Sequence, residues 1–385
     1  MQAPPFRSIF NRICTLLLFN PSIAISLLVA QYASAASIDS KNKAQSTENI
    51  LLSEEELNAL RAGQQPVGNA PKEEDTQNSN AVNSSLEHLG SSLKGKRSLI
   101  IEPSFSFSTS SVNRFTFRGI EIIDSVLLGA IEASDVDRET FSSQISVRYG
   151  LSNKLELSLS LPYSVRSDKL STILRNQAGE VSRTENLEGE GYGDISAGIH
   201  YQLNSGKAGS GIFIGNLSYK STTGDGPFNV TRGPEGIETE LPTGSGFEAL
   251  SAALTYIYPK DPASLFIQFS HTSHRSDYIN RQLGQQFIGK VDPGNSIGLN
   301  LGIGLALSPD LSLTMGFQFD SIRGTSTFIN EKEFHSSRLS LGAFFLATSL
   351  QLNNKQRLNI NGAFGVTDDA PDMQLGFSMP YDIFK

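Results

Sequence analysis

The sequence predicts an all-β fold: a transmembrane antiparallel up-and-down β-barrel of about twelve strands, with fourteen as the alternative count, behind a largely disordered N-terminal extension. Three observations predict it. Beyond about residue 97, apolar and small polar residues alternate with a period of two over runs of about ten positions, as in "LELSLSLPYSV" from 155 to 165. No later run approaches the roughly 20 apolar residues of a spanning helix. Short and long breaks between the runs alternate along the chain, as the two rims of a barrel require.

Composition narrows the class. The chain has 385 residues, with 31 Lys and Arg scattered among 39 Asp and Glu, a balance that argues against a nucleic-acid partner. Only 38% of residues are hydrophobic, with 34 glycines and no tryptophan, which does not suit a helical membrane protein.

Residues 1–35 read as a signal peptide. Arg7 and Arg12 precede the apolar run Ile13 to Ala30, broken at Asn20-Pro21, and Ala33-Ser34-Ala35 has the small-residue spacing of a cleavage site. The Asn-Pro break and that site weigh against a retained anchor. The single cysteine, Cys14, lies at the start of this segment, so the mature chain is expected to be cysteine-free. Residues 36–97 are rich in Ser, Asn, Gln and Glu and are expected to be mostly disordered in the periplasm. One short helix is expected near 54–62, where Ser53 and Glu56 form a capping box, Leu52 and Leu57 a staple, and Gly63 a stop. Leu86, Leu89 and Leu93 give a weaker apolar spacing. A tether, a plug inside a pore and a docking helix for a periplasmic partner all fit this extension.

The barrel is expected over 98–385, with strands near 98–110, 138–151, 155–167, 191–203, 211–222, 247–258, 263–274, 294–307, 311–322, 334–350, 356–366 and 372–384. Phe141, Ile145, Val147, Tyr149 and Leu151 alternate with Ser142, Gln144, Ser146, Arg148 and Gly150. Ile195, Ala197, Ile199 and Tyr201 alternate with Ser196, Gly198, His200 and Gln202. "SIGLNLGIGLAL" and "LSLTMGFQFD" repeat the pattern over Ile297 to Leu305 and Leu311 to Phe319. Short breaks fall at 152–154, 204–209, 259–262, 308–310 and 353–355, and longer polar stretches at about 169–190, 223–246, 275–293 and 323–333. Residues 111–137 fit a long outer loop, extensions of the first two strands or an added hairpin. A soluble sandwich has strands of about five or six residues and a second face of close-packing branched side chains. Here that face is Ser, Gly, Asn, Gln and Thr, which suits a wet lumen. Tyr149, Tyr201, Tyr258 and Tyr381 fall at inner strand ends, and Tyr163 and Tyr219 at outer ones, as interfacial girdles do.

Candidate lumen-lining residues are Arg148, Glu156, Ser158, Ser160, His200, Gln202, Gln268, Asn300, Gln318 and Asn359. Arg148 and Glu156 are the charged pair, close across a hairpin turn. No catalytic, metal or cofactor set is expected. His271 and His274 stand three apart on a strand and so point to opposite faces, His335 lies at a loop border, and none has an evident acidic partner in sequence. "GEGYGD" precedes a strand rather than a helix and offers no phosphate cradle.

"YGLSNKLELSLSLPYSVRS" followed by "GYGDISAGIHYQL" resembles the family of outer-membrane channels associated with the phenol meta-cleavage pathway, through Tyr149-Gly150-Leu151, Leu155-Glu156, Leu161-Pro162-Tyr163 and Gly191-Tyr192-Gly193-Asp194. The resemblance covers roughly 98–385 and implies transport of small molecules across the outer membrane of a Gram-negative-type bacterium. The last strand, "MQLGFSMPYDIFK", resembles the signal read by the barrel assembly machinery, with Lys385 following the terminal aromatic Phe384. The expected function is passive or weakly selective uptake of small solutes, aromatic or apolar ones among them. The alternatives are a structural or surface-interaction barrel with a closed lumen and a membrane-embedded lipid-modifying enzyme. The expected partners are the lipid bilayer with lipopolysaccharide, the assembly machinery during insertion, and the solutes themselves.

Overall fold

The computed structural model describes residues 93, 95–114, 132–176, 179–205, 210–232, 239–283 and 286–384. The expected leader (1–35), the helix near 54–62 and the rest of the extension before residue 93 lie outside the described residues. The described chain forms β1 (Leu99–Arg114), β2 (Glu132–Ser152), β3 (Leu155–Asn176), β4 (Gly179–Tyr192), β5 (Ser196–Gln202), β6 (Ile212–Lys220), β7 (Ala249–Lys260), β8 (Ala263–His274), β9 (Asp277–Leu283), β10 (Gln286–Asp292), β11 (Ser296–Ala306), β12 (Leu311–Ile322), β13 (Ser326–Ile329), β14 (Lys332–His335), β15 (Leu339–Asn353), β16 (Gln356–Gly365), β17 (Met373–Ser378) and β18 (Tyr381–Phe384).

Fourteen of these strands make one antiparallel sheet that closes on itself, because β1 pairs with β2 on one side and with β17 and β18 on the other. β4 and β5 are two stretches of one crossing, broken at 193–195, and β17 and β18 are two stretches of another, so the fourteen strands make twelve crossings. The period of two decides which side chains face out. Ile145, Leu159, Leu161, Leu217, Leu254, Phe269, Ile297, Leu301, Phe344 and Phe377 are exposed on the outer wall, while their alternate neighbours turn inward. An outer wall of this kind is stable only against hydrocarbon, and hydrocarbon tolerates a sheet only when no edge is left unpaired.

β2 and β3 run for 21 and 22 residues, about twice the 9–11 that a tilted strand needs to cross a bilayer. Of the stretch 111–137, residues 111–114 and 132–137 therefore belong to extensions of the first two strands, paired as far as Arg114↔Ser134, and 115–131 lie outside the described residues. Residues 169–190, expected as a loop, are a continuation of the β3–β4 hairpin up to Asn176↔Gly179. The reason is physical: above the membrane neither face must be apolar, so the alternation that marks a strand fades while the backbone pairing persists. The Arg138 guanidinium grips Asp168 with both branches (Nε to Oδ1 2.8 Å, Nη2 to Oδ2 2.6 Å) and locks this extension.

The other long connections are folded as well. The stretch 275–293 holds the hairpin β9–β10, and the stretch from 323, running on to 335 rather than 333, holds β13–β14; the two hairpins join in a separate four-stranded sheet. Its inner side buries Ile288, Val291 and Ile329 with Phe247 of the 221–248 connection, and Phe228, Ile279, Leu283 and Phe334 pack around them. A small soluble-type core thus stands at the long-connection end of the barrel.

In a background with Cys14 replaced by serine, single cysteines at Asn153, Asp261 and Asn354 are expected to label together from one side of a vesicle, and cysteines at Asn280 and Asn330 from the other. Labelling of both sets by an impermeant thiol reagent from the same side would contradict this topology.

Candidate functional site: a divided barrel interior

The inner wall carries a polar ladder across six neighbouring crossings. Ser158 on β3 lies 3.0 Å from His200 Nε2 on β5, and His200 Nδ1 lies 2.8 Å from Asn216 Oδ1 on β6. Asn216 Nδ2 donates to Thr255 Oγ1 on β7 at 3.4 Å, and Gln268 Nε2 on β8 donates to the same oxygen at 2.9 Å. Asn300 Nδ2 on β11 closes the series on Gln268 Oε1 at 2.9 Å. His200 and Asn216, Thr255 and Gln268, and Gln268 and Asn300 stand directly opposite in register, whereas Ser158 reaches His200 and Asn216 reaches Thr255 diagonally, two residues off register, so the ladder follows from inward polar residues at opposed and diagonal positions. The inner wall here spends its hydrogen-bonding capacity sideways rather than on the lumen.

Beside the ladder the interior is apolar. Ile214, Ile257, Phe266 and Phe345 form one buried cluster, with the Phe266 and Phe345 rings 6.3 Å apart. These rings lie over the wall at Gly302 and Gly316, where an added Cβ would stand 2.6 Å from Phe266 and 2.5 Å from Phe345. The glycines of "LNLGIGLAL" and "LTMGFQF" therefore make room for two phenyl rings inside the barrel. Leu93, ahead of the first strand, packs against the same cluster. It is brought there by the turn at the inner rim, where the Arg97 N–H donates to Gly150 O at 2.7 Å and the Lys96 N–H to Asn153 Oδ1 at 3.0 Å.

The opposite part of the interior is open. A cavity of about 520 Å³ is lined by Ser104, Ser106, Ser142, Gln144, Asn359 and Asn361, among others from β1, β2, β3, β12, β15, β16 and β17. Asn359 accepts from Ser349 at 2.7 Å and donates to Ser378 at 3.2 Å, and Ser142 and Ser146 bond to Ser164 and Ser160. Glu102 borders this cavity and binds Arg148 at 3.1 Å. Arg148 also faces Glu156 at 3.9 Å, so one buried guanidinium stands between two carboxylates. Desolvation of such a group is tolerated only while the countercharges stay in place.

At the far rim the 221–248 connection is pinned to the wall where strand four breaks. Asp194 accepts from the Gly224 N–H (3.1 Å), the Ser245 N–H (2.9 Å) and the Ser245 hydroxyl (2.7 Å), with Lys220 at 3.3 Å. Arg166 donates to Pro242 O at 2.7 Å, and the Leu241 N–H donates to Glu188 O at 3.0 Å. Arg166 and Asp168 stand on the inward-facing side of β3, so this connection lies along the inner side of the rim. Just outside, Glu248 accepts from Arg275 at 2.9 Å and from the Tyr219 hydroxyl at 2.9 Å, which holds its carboxyl below the ordinary range.

All ten candidate lining residues lie on strands of the closed sheet. Ser158, His200, Gln268 and Asn300 join one network, and Arg148 and Glu156 face each other. Ser160 bonds to Ser146, Gln202 donates to Asn204 O at 2.9 Å, and Gln318 stands opposite Asn300 in register. Glu102, Asn216 and Thr255 were not singled out in the sequence, although all three sit at inward positions of the same alternation, and Leu93 figured only in a weak apolar spacing. The partners of His200 come from strands 42 and 16 residues away, a separation that hides them from a search for nearby motifs. His271 faces out, and His274 Nδ1 lies 3.0 Å from Gly294 O. Among the described residues no group of His, Cys, Asp and Glu could hold a metal ion.

No family model matches the chain. The fold is similar to that of an outer-membrane channel from Pseudomonas putida F1, with a TM-score of 0.51 and 13% identity over 75% of this chain and 96% of that one. Looser matches are the translocator domain of an autotransporter from Neisseria meningitidis (TM-score 0.43, 8% identity, 80% and 97% covered) and a toluene transporter from Ralstonia pickettii (TM-score 0.36, 8% identity, 75% and 90% covered). The first likeness is one of fold.

Adjacent phenylalanines test the division into walls. Phe345 is 3% exposed inside and Phe344 is 59% exposed outside. Phe345→Ala is expected to cost about 3–5 kcal/mol in urea unfolding from detergent, as for a buried aromatic, and Phe344→Ala much less. Equal losses would contradict the assignment of faces.

Proposed function

We propose that the protein is an outer-membrane channel of a Gram-negative-type bacterium for passive, weakly selective passage of small, uncharged solutes. The observation that carries this reading is the cavity of about 520 Å³ inside a closed twelve-crossing wall, lined by Ser, Asn and Gln. Eight strands give an interior that side chains fill, and sixteen or more give an aqueous pore. At twelve, the lining decides, and here small residues leave space on one side. A wall of hydroxyls and amides with neighbouring apolar rings suits neutral molecules, aromatic ones included, better than ions. The fold likeness to an outer-membrane channel supports the reading, and the Tyr-Gly-Leu, Leu-Pro-Tyr and Gly-x-Gly-Asp motifs favour kinship with the channels associated with phenol degradation.

In this reading residues 1–35 are removed on export and the barrel assembly machinery inserts 98–385. The short-turn rim faces the periplasm, and the β9–β10–β13–β14 sheet stands outside among lipopolysaccharide. Arg148, Glu156, Ser158, Ser160, His200, Gln202, Gln268, Asn300, Gln318 and Asn359 are the proposed lining. A second reading, a surface-interaction barrel with a closed interior, is favoured by one observation: Leu93 completes an apolar cluster that occupies part of the lumen.

Planar-bilayer recording separates the two. The folded protein is expected to show small, weakly ion-selective conductance, and Leu93→Ala and Phe345→Ala to raise it severalfold. Silence from all three folded proteins would overturn the channel reading in favour of the closed barrel.

A further inference from the structure

We propose that Ser158, His200 and Asn216 form a Ser–His–Asn catalytic triad on the barrel's inner wall that hydrolyses small, neutral carboxylic esters. The inference stands apart from the channel reading and needs only that an ester reach the inner wall.

Geometry comes first. The Ser158 hydroxyl is 3.0 Å from His200 Nε2, and His200 Nδ1 is 2.8 Å from Asn216 Oδ1. Both distances are those of a nucleophile on its base and a base on its orienting group. The ladder sets the tautomer. Asn216 spends its Nδ2 donor on Thr255 Oγ1, which leaves Oδ1 as the acceptor facing the ring. His200 then carries its proton on Nδ1, and Nε2 is free to accept the serine proton, an assignment that follows from the hydrogen-bond network. Thr255, fully buried and also held by Gln268, is a positioning residue for the Asn216 amide.

Two further features fit a site rather than a bystander contact. Gly198 lies between the two reacting side chains on the same wall, and a Cβ there would stand 2.5 Å from Ser158 Oγ and 3.2 Å from His200 Nε2. Only glycine leaves the serine and the imidazole in contact without a side chain driven between them. On the other side, Arg148 is directly opposite Ser158 in register, 5% exposed, and its Nε–H has no hydrogen-bond acceptor. Side chains so paired stand with Cβ atoms about 4.5–5.5 Å apart, within reach of an oxyanion formed at Ser158. Ser158 and His200 are themselves half-buried rather than sealed.

The step balances. Ser158 Oγ attacks the ester carbonyl carbon while His200 Nε2 takes the hydroxyl proton, and the oxyanion forms beside Arg148 Nε. Collapse breaks the bond to the alcohol oxygen, which leaves with the proton from His200. Water then attacks the acyl-serine, its proton passing through His200 back to Ser158 Oγ, and the carboxylic acid departs. The substrate is small because Arg148, opposite Ser158 in register, and the His200 ring crowd the serine on the inner wall. It is neutral because Glu102 and Glu156 flank Arg148.

The test uses the full mature protein in detergent, with heat-modifiability on a gel as the check of folding. A fluorophosphonate probe is expected to form an adduct on Ser158, located by mass spectrometry, and not on Ser142, which bonds to Ser164, or Ser146, which bonds to Ser160 and the Gln144 amide. Hydrolysis of p-nitrophenyl butyrate is expected to fall at least about a hundredfold in Ser158→Ala and His200→Gln. Asn216→Leu should lower kcat, and Asn216→Asp should restore much of it. Leu93→Ala is expected to quicken labelling by easing access. Absence of a Ser158 adduct in both folded wild type and folded Leu93→Ala would overturn the proposal, as would undiminished hydrolysis by folded Ser158→Ala.

Discussion

The backbone hydrogen bond is the interaction on which the rest of this structure depends. An unpaired N–H or C=O costs several kcal/mol in hydrocarbon, so a sheet whose outer face is Leu, Ile and Phe has to close. Closure here is the pairing of β1 with β17 and β18, from Thr109↔Met373 to Leu99↔Phe384. Once the sheet closes, every inward residue has a neighbour on each side at a fixed register. The polar ladder, the phenyl rings over Gly302 and Gly316, and the Arg148 cluster are all consequences of that register.

Closure also explains why the interior is uneven. A barrel of twelve crossings is too wide for its small inward residues to fill and too narrow for bulky ones on every strand. Large side chains are grouped instead. Ile214, Ile257, Phe266 and Phe345 fill one part, helped by Leu93, while Ser, Gly and Asn on β1, β16 and β17 leave the cavity. The polar ladder beside the filled part is bonded from strand to strand, and the Arg148 guanidinium is held by carboxylates from two other strands. One wall thus behaves as a protein core and the other as a wet surface.

Much of the fold was legible in the sequence wherever one face had to be apolar. The alternation over 297–305 and 311–319 placed β11 and β12 almost to the residue, because lipid on one side imposes a strict period. Where lipid ends, so did the signal. Lys169 and Asn186 stand opposite one another in a strand pair, and nothing in their chemistry separates a strand from a polar loop. The hairpins β9–β10 and β13–β14 were hidden for a related reason: they share a core with Phe247 from a distant connection. The inner wall was legible as a list of inward residues but not as contacts. That Ser158 meets His200 follows from register, and register follows from turn lengths and bulges that composition does not reveal. Leu93 was legible only as a weak apolar spacing, since its packing partners come from strands that begin more than a hundred residues later.

The central claim is that one side of the interior is packed and the other open, and thiol reactivity inside the folded barrel measures it directly. Thr255 is fully buried in the ladder, whereas Ser378 borders the cavity. In folded protein, Ser378→Cys should react with a small permeant maleimide within minutes, and Thr255→Cys should react only after unfolding. Equal reactivity of the two cysteines would mean that the interior is uniformly open or uniformly filled, and would contradict the account.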